Sequence, residues 1–206
     1  PGTNATESLV VAVETERTRE GIRFVFPEAK KGVWKSYPII RGLNEVQLWR
    51  IHRTPDGLLW IGADQSFLCT YDGLVLKKVA SAPDIPGNEF LALEHAADGT
   101  LWIGTTGGIS QCKDGRVTAF SFNETLPRKA VSSILSEPDG TVWFATSSGL
   151  GRYDGRNFVT FSTKDGLPGN TINSLLRARD GLLWIGTGYG LVQFDGRSFT
   201  QLQPFG

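Results

Sequence analysis

Methionine is absent from the 206 residues, histidine and cysteine occur twice each, and acidic and basic residues balance at 21 apiece. Each shortage narrows the field. A net charge of zero gives no long-range field to draw the chain onto nucleic acid or an anionic membrane surface, so neither is expected as a partner. No apolar run approaches the roughly 20 residues needed to cross a bilayer. Two histidines are few for a histidine-based metal centre, and two cysteines cannot build a disulfide framework. With neither methionine nor an apolar leader after Pro1, the sequence is expected to be a processed piece of a longer chain.

What is abundant is glycine, 25 residues, and tryptophan, six, and repetition explains both. Asp56-Gly-Leu-Leu-Trp60, Asp98-Gly-Thr-Leu-Trp102, Asp139-Gly-Thr-Val-Trp143 and Asp180-Gly-Leu-Leu-Trp184 align without gaps, with tryptophans at intervals of 42, 41 and 41 residues. A second Asp-Gly series, at Asp72, Asp114, Asp154 and Asp195, runs in phase with the first, as do Pro86, Pro127 and Pro168. Between these turns lie apolar runs too short for helices and rich in Val, Ile, Phe and Trp. They read as four strands per unit, a to d, with Asp-Gly turns between a and b and between c and d.

Four short antiparallel strands repeated every 40-odd residues predict an all-β fold, a β-propeller of four-stranded blades. The boundaries expected are 44–87, 88–129, 130–169 and 170–206 for four full blades, with 1–43 as a partial N-terminal blade of three strands, the whole forming one domain. The ring is five-bladed or part of a larger one. In the partial blade, Leu9–Val13 and Gly21–Phe26 read as strands joined by the charged turn Glu14–Glu20, and Trp34–Tyr37 as strand d. The four repeated tryptophans are expected to fill the gap between blades, not to serve as ligand platforms, and the glycine two residues on leaves room for a close neighbour. Cys69 and Cys112 fall in the third strands of different blades and read as packed thiols, not a bridge.

The unit Asn170-Thr-Ile172-Asn-Ser174-Leu175, Asp180-Gly-Leu-Leu-Trp184-Ile-Gly-Thr187, Gly190-Leu191, Phe194-Asp-Gly196 resembles the two-component regulator propeller repeat. The units around Trp143, Trp102 and Trp60 follow the pattern with decreasing fidelity. The resemblance implies an extracytoplasmic or periplasmic sensor region of a bacterial signalling receptor, in some members recognising oligosaccharides, and so the remainder of a longer receptor chain as partner.

Propellers bind ligands at the face carrying the b-to-c and d-to-a loops, near the channel, because loops on a rigid scaffold vary without disturbing the core. The residues picked out there are Asp64, Asn88, Lys129, Asn170 and Tyr189, a mixture of donors, acceptors and one aromatic suited to a polar small molecule or oligosaccharide. Asn88 and Asn170 also have a local alternative as turn caps. Arg50 stands out differently: its siblings are Ala92, Ser133 and Ser174, so a bulky cation replaces a small residue, either to bind in the channel or to brace the N-terminal blade. Catalysis is not expected. His52 and His95 alternate onto opposite sheet faces, the aspartates belong to turns, and no cofactor motif is present. Alternative readings are a structural module that binds protein or itself through an open blade edge, and third a lyase-like enzyme.

Overall fold

The computed structural model describes residues 14–18, 21–25, 47–64, 66–72, 75–81, 83–120 and 129–202. They form four antiparallel sheets. Blade one comprises β3 (Leu48–Arg53), β4 (Leu59–Ala63), β5 (Phe67–Tyr71) and β6 (Val75–Ala80), and blade two β7 (Phe90–His95), β8 (Leu101–Thr105), β9 (Gly108–Lys113) and β10 (Arg116–Phe120). Blade three is β11 (Val131–Ser136), β12 (Val142–Thr146), β13 (Gly149–Tyr153) and β14 (Phe158–Phe161), and blade four β15 (Ile172–Arg177), β16 (Leu183–Thr187), β17 (Gly190–Phe194) and β18 (Phe199–Gln201). Within each blade, strands pair in sequence order, and the first strands β3, β7, β11 and β15 approach one another in turn around a channel. The all-β propeller read from the repeats is the fold.

The hairpin chemistry is the same in every blade. In blade two Ala96 and Thr100 close the a-b turn, Gly99 N–H donates to Ala96 O, and Gly99 sits at φ +84°. Gly57, Gly140 and Gly181 repeat this left-handed conformation, which glycine adopts without a Cβ penalty. The preceding aspartate carboxylate accepts the backbone N–H two residues on, at 3.0 Å for Asp98, 2.8 Å for Asp139 and 3.0 Å for Asp180. These are turn-forming roles, as the sequence implied.

Blades stack through three apolar clusters, one per described junction. Trp102 meets Phe144 and Tyr153 of the next blade edge-to-face at 5.3 and 6.0 Å, and Trp143 meets Phe194 at 5.7 Å. Both tryptophans are buried, whereas Trp60 and Trp184 are half-buried. A Cβ on Gly62 would lie 2.4 Å from the Phe90 ring of blade two, and one on Gly104 2.7 Å from the Val131 carbonyl oxygen of blade three. The close neighbour expected at these glycines is therefore the first residue of the following blade. Cys69 and Cys112 are buried free thiols, and burial pushes the pKa of both up.

Two features differ from the sequence reading. Every a-b pair carries a register shift at its start, leaving Trp49, Leu91, Ser132 or Asn173 as the extra residue. Such bulges increase strand twist and re-aim side chains at the inner rim. The N-terminal hairpin also lies elsewhere than expected. Glu14–Thr18, read as a charged turn, is strand β1, paired to β2 (Gly21–Val25), and β2 pairs in turn with β6, so the hairpin extends the sheet of blade one. Among the described residues β1 is the outermost strand of this sheet, and the register sets Glu16 opposite Arg23. Leu9–Val13 and Trp34–Tyr37 lie outside the described residues.

Candidate functional site

The register shift that opens each blade also shapes the channel. Arg50, just beyond the bulge of β3, pairs across the sheet with Gly62, and Ala92, Ser133 and Ser174 occupy the same register in their blades. Because the siblings are small, a cavity of about 290 Å³ remains among the inner strands. Arg50, Ser132, Ser133, Asn173 and Ser174 supply its polar lining, and Ile51, Leu91, Leu93 and Ile134 contribute apolar wall.

The guanidinium of Arg50 is held by two carbonyls. Nε donates to Leu91 O at 2.6 Å, across the junction to blade two, and Nη1 donates to Trp49 O at 3.0 Å. Arg50 thus lines the cavity and acts as a brace, although the neighbour it braces is blade two rather than the N-terminal segment. Nη2 has no partner among the described residues. Ser132 Oγ makes the analogous tie between blades three and four, donating to Ile172 O at 2.7 Å.

Of the residues read as candidates, Arg50 lines this cavity and the other five do not. Asp64 accepts from Trp49 Nε1 at 2.6 Å and Gln47 N at 3.1 Å, so both carboxylate oxygens serve the b-c loop. Asn170 Oδ1 accepts the N–H of Thr163, seven residues earlier, at 3.0 Å, so it ties the d-a loop together instead of capping the turn that follows it. Asn88 and Lys129 are exposed, and Asn88 N donates to Thr106 Oγ1 at 3.4 Å. Tyr189 is 68% exposed, and a Cβ on Gly169 would lie 2.2 Å from its ring, so the aromatic is seated against the preceding d-a loop. Ser133, Asn173 and Ser174 line the cavity without having been picked out. The signal for Ser133 and Ser174 is small polar character at one repeated position, whereas Asn173 is the bulge residue and carries none.

His52 stands opposite Trp60 and His95 opposite Leu101, two different registers of strand a. Burial lowers the pKa of His52, with Glu94 opposing, and its Nε2 is buried without a partner among the described residues. No group of three or more His, Cys, Asp or Glu among the described residues is placed to hold a metal ion.

The profile of the two-component regulator propeller family matches residues 84–107 and 166–189, spans that cover the d-a loop and strands a and b of blades two and four. Two of the four blades thus match the two-component regulator propeller repeat. These repeats are structurally similar to the extracellular domain of the BT4673 hybrid two component system of B. thetaiotaomicron, at 25% identity and a TM-score of 0.65 over 77% of this chain and 22% of that one. The extracellular domain of BT3049 from the same organism superposes at a TM-score of 0.72 and 18% identity, over 89% of this chain and 26% of that one. The virginiamycin B lyase of Staphylococcus aureus shares the propeller fold at 17% identity and a TM-score of 0.64, over 78% of this chain and 56% of the enzyme. The chain therefore spans about a quarter or less of the two B. thetaiotaomicron domains. No curated protein matches it.

Proposed function

We propose that these repeats form the ligand-recognising propeller of an extracytoplasmic or periplasmic bacterial signalling receptor, taking a polar small molecule or oligosaccharide at the channel mouth without chemical turnover. The signalling context rests on the similarity to the BT4673 domain at 25% identity. The observation that carries the ligand site is Arg50: a cation braced by two backbone carbonyls, beside an unfilled cavity edged by Ser133, Asn173 and Ser174. Nη2 and the serine hydroxyls offer directional hydrogen bonds to hydroxyl-bearing ligands, and Tyr189 on the loop face offers a stacking surface. Asn88 and Lys129 extend the polar rim, with Asp64 and Asn170 holding loops in place. The likeness to virginiamycin B lyase, at 17% identity, conveys the fold and no chemistry.

A thermal-shift screen of neutral oligosaccharides and polar metabolites tests the reading. A ligand at 100 times its Kd adds about 2.7 kcal/mol of stability, an easily measured rise in Tm. That rise should vanish in Arg50→Ala and shrink in Tyr189→Ala. An empty screen, or hits indifferent to Arg50→Ala, would overturn it.

A second reading is favoured by one observation. Leu48 in blade one and Leu191 in blade four are 47% and 41% exposed, leaving apolar faces at both ends of the blade series. As an assembly module, the chain would bury them against a protein partner or a second copy. Sedimentation showing a monomer at all concentrations would remove the self-association form of this reading.

A further inference from the structure

At the end of the blades carrying the a-b and c-d turns, opposite the loop face, blades three and four enclose a cavity of about 520 Å³. This volume lies within the usual range for small-molecule sites, roughly 300–1,000 Å³. One wall is aromatic, formed by Trp143, Phe161 and Phe194, and the other is charged.

The charged wall breaks the repeat. Arg152 pairs across the sheet with Trp143, where the other blades set Thr70, Gln111 and Gln193 opposite their tryptophans. Arg177 closes strand a opposite Leu183, a register that holds Arg53, His95 and Ser136 in blades one to three, so the departures from the repeat here are Arg152 and Glu137. Glu137 opens its a-b turn, where blade two has Ala96. The junction of blades two and three is accordingly closed by neutral contacts and by Glu94, which accepts from Ser136 N and Oγ at 3.1 and 2.7 Å.

A count of donors and acceptors in this cavity does not balance. Arg177 is spent on Glu137, through Nε at 2.8 Å and through Nη2, and on Gly181 O at 2.8 Å. The Asp139 carboxylate is engaged by Thr141, whose hydrogen bonds hold its pKa below the usual range, with Arg152 assisting. The guanidinium of Arg152 lies 5.8 Å from the centre of the Trp143 ring, and neither it nor that of Arg197 has a hydrogen-bond or ion-pair partner among the described residues. Trp143 Nε1 is buried with no acceptor among the described residues. A buried N–H left unmet is costly, so the component that completes the site is an acceptor. A carboxylate matches the guanidinium fork, and the aromatic wall favours a ring attached to it.

We propose that this inter-blade cavity binds a small carboxylate carrying a ring, its oxygens shared by Arg152, Arg197 and the Trp143 indole N–H, and its ring against Phe161 and Phe194. The site is separate from the channel and does not depend on it.

Isothermal titration calorimetry of the whole chain with benzoate and galacturonate tests the proposal, and comparing the two separates an aromatic ring from a sugar ring. At least one should bind with a Kd of about 10 μM–1 mM. Benzyl alcohol, which keeps the ring and loses the charge, should bind at least about tenfold more weakly. Arg152→Gln introduces the residue that blades two and four already carry, so it should leave the circular dichroism spectrum and Tm unchanged while weakening carboxylate binding about tenfold or more. Trp143→Phe keeps the ring and removes the N–H, for a loss of about three- to tenfold. Arg50→Ala should leave this binding unaltered. Absence of binding by both carboxylates, affinity indifferent to Arg152→Gln, or sulfate binding as tightly as the carboxylates would overturn the assignment.

Discussion

Blades three and four share the same strands, turns and tryptophan position, yet the outward faces of their b and c strands meet different surroundings. Leu150 of blade three is fully buried beneath blade four, whereas Leu191, in the same register, is 41% exposed. Trp143 is buried, and its counterpart Trp184 is half-buried. Gly186 makes the same point by what it lacks: the three atoms nearest a Cβ there all belong to Ser174 of its own blade, whereas one on Gly104 would strike the backbone of the next. A blade's pattern is thus a demand for a neighbour. The demand is written into the repeat whether or not a neighbour meets it, so apolar character at these positions reports the family's geometry and burial reports the neighbour.

The largest contrast is expected from truncating the paired leucines. Leu150→Ala should remove about 3 kcal/mol, because the cavity left beneath blade four cannot collapse fully. Leu191→Ala should cost less than about 1 kcal/mol, since most of its surface gain is already forgone. Chemical denaturation of the two variants gives the difference directly, and equal losses would mean that the face of blade four is covered in solution. The same comparison thereby checks the assembly reading, because a partner that covers this face would raise the cost at Leu191 in a concentration-dependent way.

A smaller contrast follows for the glycines. Gly104→Ala sets a Cβ 2.7 Å from the Val131 carbonyl oxygen, an atom fixed by its own strand, and should cost about 1–3 kcal/mol. Gly186→Ala meets the Ser174 hydroxyl, which can rotate away, and Ala145 already fills this register in blade three, so the loss should stay below about 1 kcal/mol. Thermal unfolding should therefore show a clear fall in Tm for the first variant and little for the second. Equal falls would mean that the blade junction is looser than its contacts imply.

These contrasts also indicate what the sequence could reveal. Turns and tryptophans were legible because each answers a local requirement repeated at one spacing: a left-handed glycine, an aspartate that caps its own turn, a ring for the gap. The bulge was not, because its extra residue is Trp49, Leu91, Ser132 or Asn173, four types with no shared chemistry and a role set by twist. The N-terminal hairpin was misplaced because charge in Glu14–Thr18 resembled a turn, and an outermost strand makes no apolar demand. Of the candidate ligand residues, Arg50 reached the channel since it was chosen for departing from its siblings. The loop residues were chosen as donors, acceptors and one aromatic on the loop face, and two of them serve the scaffold: Asp64 ties the b-c loop to the start of strand a, and Asn170 holds the d-a loop. The charged cavity at the third junction was invisible for a different reason: Glu137 and Arg177 are 40 residues apart, and only stacking brings them together.

The c-d turns give the smallest effect and act as the control. Asp154 accepts the N–H groups of Arg156 and Asn157 at 2.9 and 2.7 Å, and Asp195 those of Arg197 and Ser198, both at 2.8 Å. In each case hydrogen bonds to the third residue along, Asn157 or Ser198, contribute most to holding the carboxyl below its ordinary pKa of 3.8. A depressed folded-state pKa means that the contribution is complete above the unfolded value, near 4, and is lost as pH falls through the folded one. Both carboxylates are fully exposed and held by bonds within their own turns, so coverage by a neighbouring blade should matter little to them. Asp154→Ala and Asp195→Ala should therefore lower Tm slightly and equally at pH 7, and the deficit should fade below about pH 4 as the wild-type carboxylates protonate. Unequal losses would locate a difference between the blades in the turns themselves and weaken the conclusion that the neighbour alone separates them.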